Sequence, residues 1–432
     1  LKTAILCFPY ISETDRGIQY PTGLYKIATF CKNDYKVIVL DQRIHPNIVH
    51  TISKIIKDND NVLCLGLSVM TGDQIISAIN ISKEMHKLVK IVWGGLHPTI
   101  LPRQVIENDF VDFAIIGEGE EAFLNLLKYL DKQNVNKQLF LSKNNNNLKH
   151  NYINNINNVA FIDFDKYPVF KDYFVKRDGF KRAFTLETSR GCPHNCFFCH
   201  NSVHKSPYRF MSAKKVIEII NSLTMNYEFD GLIFQEDNFF ANKRRVMGIL
   251  NYLKNRGNIG WKANSRIDYF LKFFNDQEFM ENLIQSGCKV LQFGIESGSK
   301  KILEMINKRI NINDVIDINK RLSNYPVSIR YNFIIGFPKE TDKDLADTFK
   351  LMKKLSKDNQ NVEPPFLNIY TPYPGTQLYN EALRCGFKEP NKLEEWSKFI
   401  WNKASADWLS EESKKYLQKK SKEHWEASKY LK

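Results

Sequence analysis

The sequence has no apolar run of about 18 residues, the length a membrane-spanning helix needs. Cysteine is scarce, and eight in 432 residues are too few for a disulfide-stapled scaffold. The first residues, LKTAILCFPYIS, lack the long apolar core and small-residue cleavage site of a secretory signal, so a cytoplasmic protein is expected. No dense basic block is present, although lysine and arginine total 62 against 48 acids and the net charge is +14. Charge of that sign admits an anionic partner. With lysine and asparagine abundant throughout, no nucleic-acid partner is expected. What is there is ordinary for a globular chain, 43% apolar and 25% charged. The length suggests two or three domains, each able to bury a core.

The first 135 residues alternate short apolar runs with helical spacing. Strands are expected at Thr3–Phe8, Tyr35–Leu40, Val62–Leu67, Val89–Trp93 and Phe113–Ile116. Helices are expected at Gly23–Cys31, at Ile75–Met85 and after Gly119, where Phe123, Leu126, Leu127 and Leu130 share one face. This alternation implies an α/β fold with a Rossmann-like, doubly wound parallel sheet, whose ligands bind outside the carboxyl ends of the strands. Residues 136–175 read as a linker, because 144–158 hold nine asparagines. Across 176–378 the alternation resumes, with strands at Ala183–Thr188, Gly231–Gln235, Trp261–Ser265, Val290–Ile295, Ser328–Ile335 and Pro365–Tyr370. Six strand–helix repeats fit a partial (β/α)6 barrel better than a closed eightfold one. Residues 379–432 carry Trp396, Trp401, Trp408 and Trp425 on a lysine- and glutamate-rich background and read as a C-terminal helical extension.

The segment Arg190-Gly191-Cys192-Pro193-His194-Asn195-Cys196-Phe197-Phe198-Cys199 follows the first barrel strand. Thiolates this close can converge on one metal centre. Zinc is a rival, since His194, His200 or His204 could supply a fourth ligand. Disulfides do not suit a cytoplasmic protein.

At these residues the sequence resembles the radical SAM superfamily. The cysteines have its spacing, three residues and then two, with the aromatic Phe198 before the third. The resemblance implies a [4Fe-4S] cluster held by Cys192, Cys196 and Cys199, with one iron open to S-adenosylmethionine (SAM). Later strand ends follow the superfamily in order. They are Gln235-Glu236-Asp237, Asn264-Ser265-Arg266, Glu296-Ser297 within Gly294–Ser299, Gly336-Phe337-Pro338 with Glu340, and Pro372–Thr376. Phe198, Gln235, Glu236, Asp237, Asn264, Arg266, Glu296, Ser297 and Gly336 are thereby implied in cofactor binding. Singly, each polar residue reads equally as a cap or turn former.

The first domain's loops form a second set: Pro21-Thr22-Gly23; Ser68, Met70 and Thr71; Gly94, Gly95, His97 and Pro98; Gly117-Glu118-Gly119. Together they resemble the cobalamin-binding domain that precedes many radical SAM barrels, as in class B radical SAM methyltransferases. Where many cobalamin proteins carry Asp-x-His-x-x-Gly, this chain has Asp41-Gln42-Arg43-Ile44-His45-Pro46, so no histidine ligand to cobalt is expected from that motif. His45 is off register and reads as a surface residue.

The resemblance implies a cobalamin-dependent radical SAM enzyme that methylates an unactivated carbon of a small-molecule or peptide substrate, with flavodoxin or ferredoxin as electron donor. Rearrangement, cyclisation or ring contraction without methyl transfer is the alternative. A tRNA methylthiotransferase would need a second cluster. Cys7 and Cys64 lie in expected strands and Cys31 on an apolar helix face, which favours core packing. A non-catalytic metal or cobalamin sensor does not explain the full set of strand-end motifs.

Overall fold

The computed structural model covers residues 1–432 and describes all of them except 12–18, 144–150, 160–167, 205, 401–402, 404–405 and 430–432. It divides into two compact units, Leu1–Pro168 with Glu389–Ile400, and Val169–Lys388 with Trp401–Lys432.

The first unit is built on a six-stranded sheet. β1 (Thr3–Phe8), β2 (Lys36–Asp41), β3 (Val62–Ser68), β4 (Lys90–Gly94) and β5 (Phe113–Ala114) are parallel, and β6 (Leu141–Ser142) runs antiparallel to β5. The order is β2-β1-β3-β4-β5-β6. Ile5, Cys7, Cys64, Leu65 and Ile91 are wholly buried, because helices cover parallel strands on both faces. Crossovers from β1 run in both directions along the sheet, so the switch point lies between β1 and β3. All five expected strands are present. β6 and the buried Ile153, Ile156 and Val159 also belong here, although the asparagine-rich composition reads as linker. A few apolar anchors are enough to dock a polar stretch. The asparagines at 144–147 lie outside the described residues.

The second unit carries β7 (Val175–Arg177), β8 (Phe180–Leu186), β9 (Ser189–Arg190), β10 (Arg209–Phe210), β11 (Gly231–Phe234), β12 (Gly260–Ser265), β13 (Cys288–Glu296), β14 (Ser328–Ile335) and β15 (Phe366–Ile369). Its main sheet has the order β15-β14-β13-β12-β11-β8-β7. The six strands from β8 to β15 in that sheet are parallel and follow chain order, which makes the curled partial barrel. They match the six expected strands to within three residues. The hairpin strand β7 and the short β9–β10 pair are additions. Trp261, Phe239, Phe240, Phe270 and Phe279 form one buried aromatic cluster beside β12, with Phe240 and Phe270 edge to face at 5.6 Å. Each such ring contributes roughly 1.5–3 kcal/mol on burial. The helix Glu411–Lys429 packs on β15, where Ser421 Oγ donates to the Leu367 carbonyl at 2.7 Å. It thereby covers an edge that would otherwise be open.

The expected tail is not one helical block, since Glu389–Ile400 belongs to the first unit. Trp396 is buried there, while Trp408 packs near Tyr370 and Phe387 in the second unit. Trp401 lies outside the described residues. Among the described residues no helix is long and apolar enough to cross a membrane.

Candidate active site

β9 and β10 pair antiparallel and frame the cysteine loop. Cys192, Cys196 and Cys199 are free and half-buried on it. Long-range bonds fix the loop: Phe197 N–H donates to the Ile306 carbonyl at 3.0 Å, Leu378 N–H to Phe197 at 3.0 Å, and Asn307 Nδ2 to Asn195 at 2.6 Å. Burial pushes the Cys199 thiol up to about 12, and the neighbouring Asp237, Cys196 and Cys192 add to the rise. Cys192 is raised as well, again chiefly by burial, with Arg266 opposing. Arg266 is held by Asp268 at 3.0 Å and by the Lys308 carbonyl at 2.7 Å, and its Nη1 lies 3.9 Å from Cys196 Sγ.

Among the described residues no group of three or more Cys, His, Asp and Glu side chains is already drawn together as a metal cage. The donor chemistry nevertheless suits an iron–sulfur cluster. Three thiols share one pinned loop, beside a guanidinium that favours the ionised form of Cys192 and lies 3.9 Å from Cys196 Sγ. His194, a zinc candidate, has Nε2 3.0 Å from Tyr269 Oη, and burial lowers its pKa to about 4. Phe198 packs edge to face with Phe337 at 6.1 Å.

The remaining strand-end residues divide into two groups. Gln235 and Asp237 are exposed beside the loop, and Asp237 accepts from Asn201 Nδ2 at 2.7 Å. Glu236 faces the other way. It is buried, accepts from Thr188 N–H and from the Thr188 and Ser189 hydroxyls, and pairs with Arg245 at 3.2 Å. Side chains alternate along an extended chain, so the middle of three residues turns inward and here anchors the start of the cysteine loop. Ser297 also faces inward. It is wholly buried, 3.1 Å from Thr348 Oγ1, and accepts from Ser299 N–H at 3.1 Å. Asn264 Nδ2 donates to the Glu236 carbonyl at 3.1 Å. Gly336 N–H donates to Glu340 Oε2 at 2.5 Å. Glu296 ends β13 with φ +72°, a conformation non-glycine residues hold only under constraint, and its carboxylate pairs with Lys308.

In the first unit the loops after β3 and β4 are knitted together. Val69 N–H donates to the Gly94 carbonyl at 2.8 Å, and His97 N–H to the Val69 carbonyl at 3.0 Å. Gly95 permits this approach: at φ +99°, a Cβ there would lie 2.9 Å from the Val69 oxygen. Ser68 and Thr71 are half-buried and Met70 is exposed. His97 and Pro98 are buried, and burial lowers the His97 pKa to about 3. Pro21 precedes the helix Thr22–Cys31, which leaves Gly23 exposed.

Glu118 lies in the loop after β5. Its Oε2 accepts from Ile153 N–H at 2.7 Å, and Gly117 bridges to Asn151, so this loop holds the following chain. Gly119 lets two helices approach, since a Cβ there would meet Ile27 at 2.5 Å. Arg43, at the place of the cobalt-binding histidine, folds back onto Asp41 at 2.7 Å and lies 4.3 Å over the Phe8 ring. His45 is half-buried.

Lys308, Tyr269 and Arg245 were not legible beside the site, because their bonds to Glu296, His194 and Thr188 join separate elements, which local spacing cannot report. An opening of about 910 Å³ in the barrel unit, lined by Asp178, Gly260, Ser328 and Arg330, lies at the amino ends of the strands. Chemistry on this fold sits at the opposite end.

Comparison with known proteins bears on both units. The radical SAM superfamily matches residues 186–352, and the B12 binding domain matches residues 11–127. The uncharacterized methyltransferase PH0819 of Pyrococcus horikoshii is 32% identical over 374 residues, 84% of this chain and 78% of that protein. The anaerobic magnesium-protoporphyrin IX monomethyl ester cyclase of Cereibacter sphaeroides is 23% identical over 84% of this chain and 59% of its own. Among solved structures, the radical SAM methyltransferase TsrM from Kitasatospora setae, with cobalamin and a [4Fe-4S] cluster bound, superposes with TM-score 0.70 at 15% identity over 89% of this chain and 75% of its own. The cobalamin-dependent radical SAM enzyme OxsB gives TM-score 0.68 at 19% identity over 82% of this chain and 52% of its own. With its three-cysteine loop on a partial barrel and its doubly wound first unit, the chain belongs to the cobalamin-binding radical SAM enzymes.

Proposed function

We propose that this enzyme transfers a methyl group to an unactivated carbon of a small-molecule or peptide substrate. Its cofactors are a [4Fe-4S] cluster, SAM and cobalamin. The cysteine loop carries the reading: three thiols, a guanidinium 3.9 Å from one of them, and backbone bonds fixing the loop at the carboxyl ends of the barrel strands. Similarity to PH0819, described as a methyltransferase, supports methyl transfer.

When bound, the cluster supplies the electron that splits SAM into methionine and a 5′-deoxyadenosyl radical, and cobalamin carries the methyl group drawn from a second SAM. The chain's own residues do the rest. Cys192, Cys196 and Cys199 hold the cluster, and Arg266 stands beside Cys196. Gln235 and Asp237 present polar groups to SAM, and the strained Glu296 is held in place by Lys308. The loops after β3 and β4 receive cobalamin. Flavodoxin or ferredoxin is the electron donor in this reading. The cytoplasm is the location, where thiols stay reduced.

Anaerobic reconstitution with a strong reductant tests the proposal. Each turnover is expected to release methionine, 5′-deoxyadenosine and S-adenosylhomocysteine in equal amounts with one methylated product. Equal methionine and 5′-deoxyadenosine without S-adenosylhomocysteine would favour the second reading, a rearrangement or cyclisation, which the similarity to the cyclase supports.

A further inference from the structure

The segment Glu389–Ile400 belongs to the first unit although it follows the barrel in sequence, and it lies outside the stretch that matches the B12 binding domain. Its helical turn Leu393–Lys398 packs on the helix Gln74–Met85. Gln104 Nε2 donates to the Pro390 carbonyl at 3.1 Å, and Lys83 stands 3.8 Å from Glu394.

Two contacts bring the segment onto the ligand-facing loops. Gly72 closes the loop after β3 at φ +120°, and a Cβ there would lie 3.2 Å from the Phe399 carbonyl oxygen. Trp396 is wholly buried with its ring centre 6.1 Å from that of His97, which follows β4. The segment therefore touches both loops at the carboxyl edge of the sheet, where this topology binds ligands.

The same ring pair is incompletely bonded. The buried His97 ring is neutral, with Nδ1 3.1 Å from Thr71 Oγ1. His97 Nε2 and Trp396 Nε1 are both buried and find no hydrogen-bond partner among the described residues. A buried N–H without an acceptor is rare in native proteins and calls for a physical account, such as a bound water, ion or ligand.

We propose that Glu389–Ile400 is part of the cobalamin site, holding the loops after β3 and β4, with the Trp396 indole N–H reserved for an oxygen acceptor that arrives with the cofactor. This rests on the reading that the first unit binds cobalamin. Trp396 thus contacts the cofactor through its N–H, while its ring packs beside His97.

The test is hydroxocobalamin binding by the full-length chain, followed by absorbance, with iron content and thermal melting measured alongside. Trp396→Phe keeps the ring and removes the donor. It is expected to weaken hydroxocobalamin binding about three- to tenfold, the worth of one ordinary hydrogen bond. Iron content should be unchanged, and the cobalamin-free protein should melt no lower, since a buried orphan donor is gone. Gly72→Ala pushes the loop off Phe399 by another route and is expected to weaken binding as well. Wild-type binding with the same Kd in both folded variants overturns this inference alone. A wild-type chain that binds no hydroxocobalamin overturns the cobalamin reading and this inference with it.

Discussion

Lys308 Nζ lies 2.6 Å from Glu296 Oε1, and both side chains are buried where β13 ends. Glu296 has a left-handed backbone there, so the ion pair holds a constrained residue at the mouth of the barrel. Lys308 also presents its carbonyl to Arg266, the residue beside Cys196. Lys308→Met would leave a buried carboxylate without its cation. Breaking such a pair costs about 3–5 kcal/mol. Denaturant unfolding should show that loss, and SAM binding should weaken in parallel. Unchanged stability would mean that Glu296 finds another partner.

The cysteine assignment has a sharper consequence. Cys196→Ala removes one of three ligands and the thiol nearest Arg266. Brown cluster absorbance and SAM cleavage should both vanish, while hydroxocobalamin binding to the first unit remains. Cleavage that persists in the variant would show that the cluster is held elsewhere.

Sequence reading located these cysteines, and also eleven of the strands, because both signals are local. A parallel strand is a short buried apolar run, and β1 and β14 begin and end where the runs Thr3–Phe8 and Ser328–Ile335 do. Two-residue strands such as β6, β9 and β10 are too short for periodicity to register. The inward bonding of Glu236 was hidden because its partners, Thr188 and Arg245, come from other segments. Trp396 read as part of a helical tail because composition reports burial but not which core receives the ring.

Asp178 sits at the tip of the β7–β8 hairpin with both carboxylate oxygens 3.1 Å from Lys262 Nζ, and it also bonds Arg330. Burial alone would raise its pKa, but Lys262 and then Arg330 outweigh that and hold it well below the usual carboxylate range. A carboxylate depressed in the folded state adds stability above its unfolded pKa of about 3.9 and loses it as the pH falls. Asp178→Asn should cost about 3 kcal/mol or more near neutral pH, since two buried cations lose a counter-charge. Its stability should also fall less steeply than wild type below about pH 4. Urea titrations at several pH values would measure both effects.

Glu340 predicts the opposite slope. Its Oε2 accepts from the Gly336 and Phe337 N–H groups, while Oε1 is buried without a partner among the described residues. Burial outweighs those two bonds and lifts the pKa from 4.5 to about 7. A carboxyl group raised in the folded state binds more protons than the unfolded chain does. Its stabilising contribution is therefore complete below about pH 4.3 and is lost as the pH rises toward 7. Glu340→Gln keeps the acceptor for Gly336 and cannot ionise. The variant should hold its stability across that window while wild type declines by up to about 1.4 kcal/mol per pH unit. Equal slopes in the two proteins would mean that Glu340 remains ionised in the folded state, with water or a bound ligand meeting Oε1.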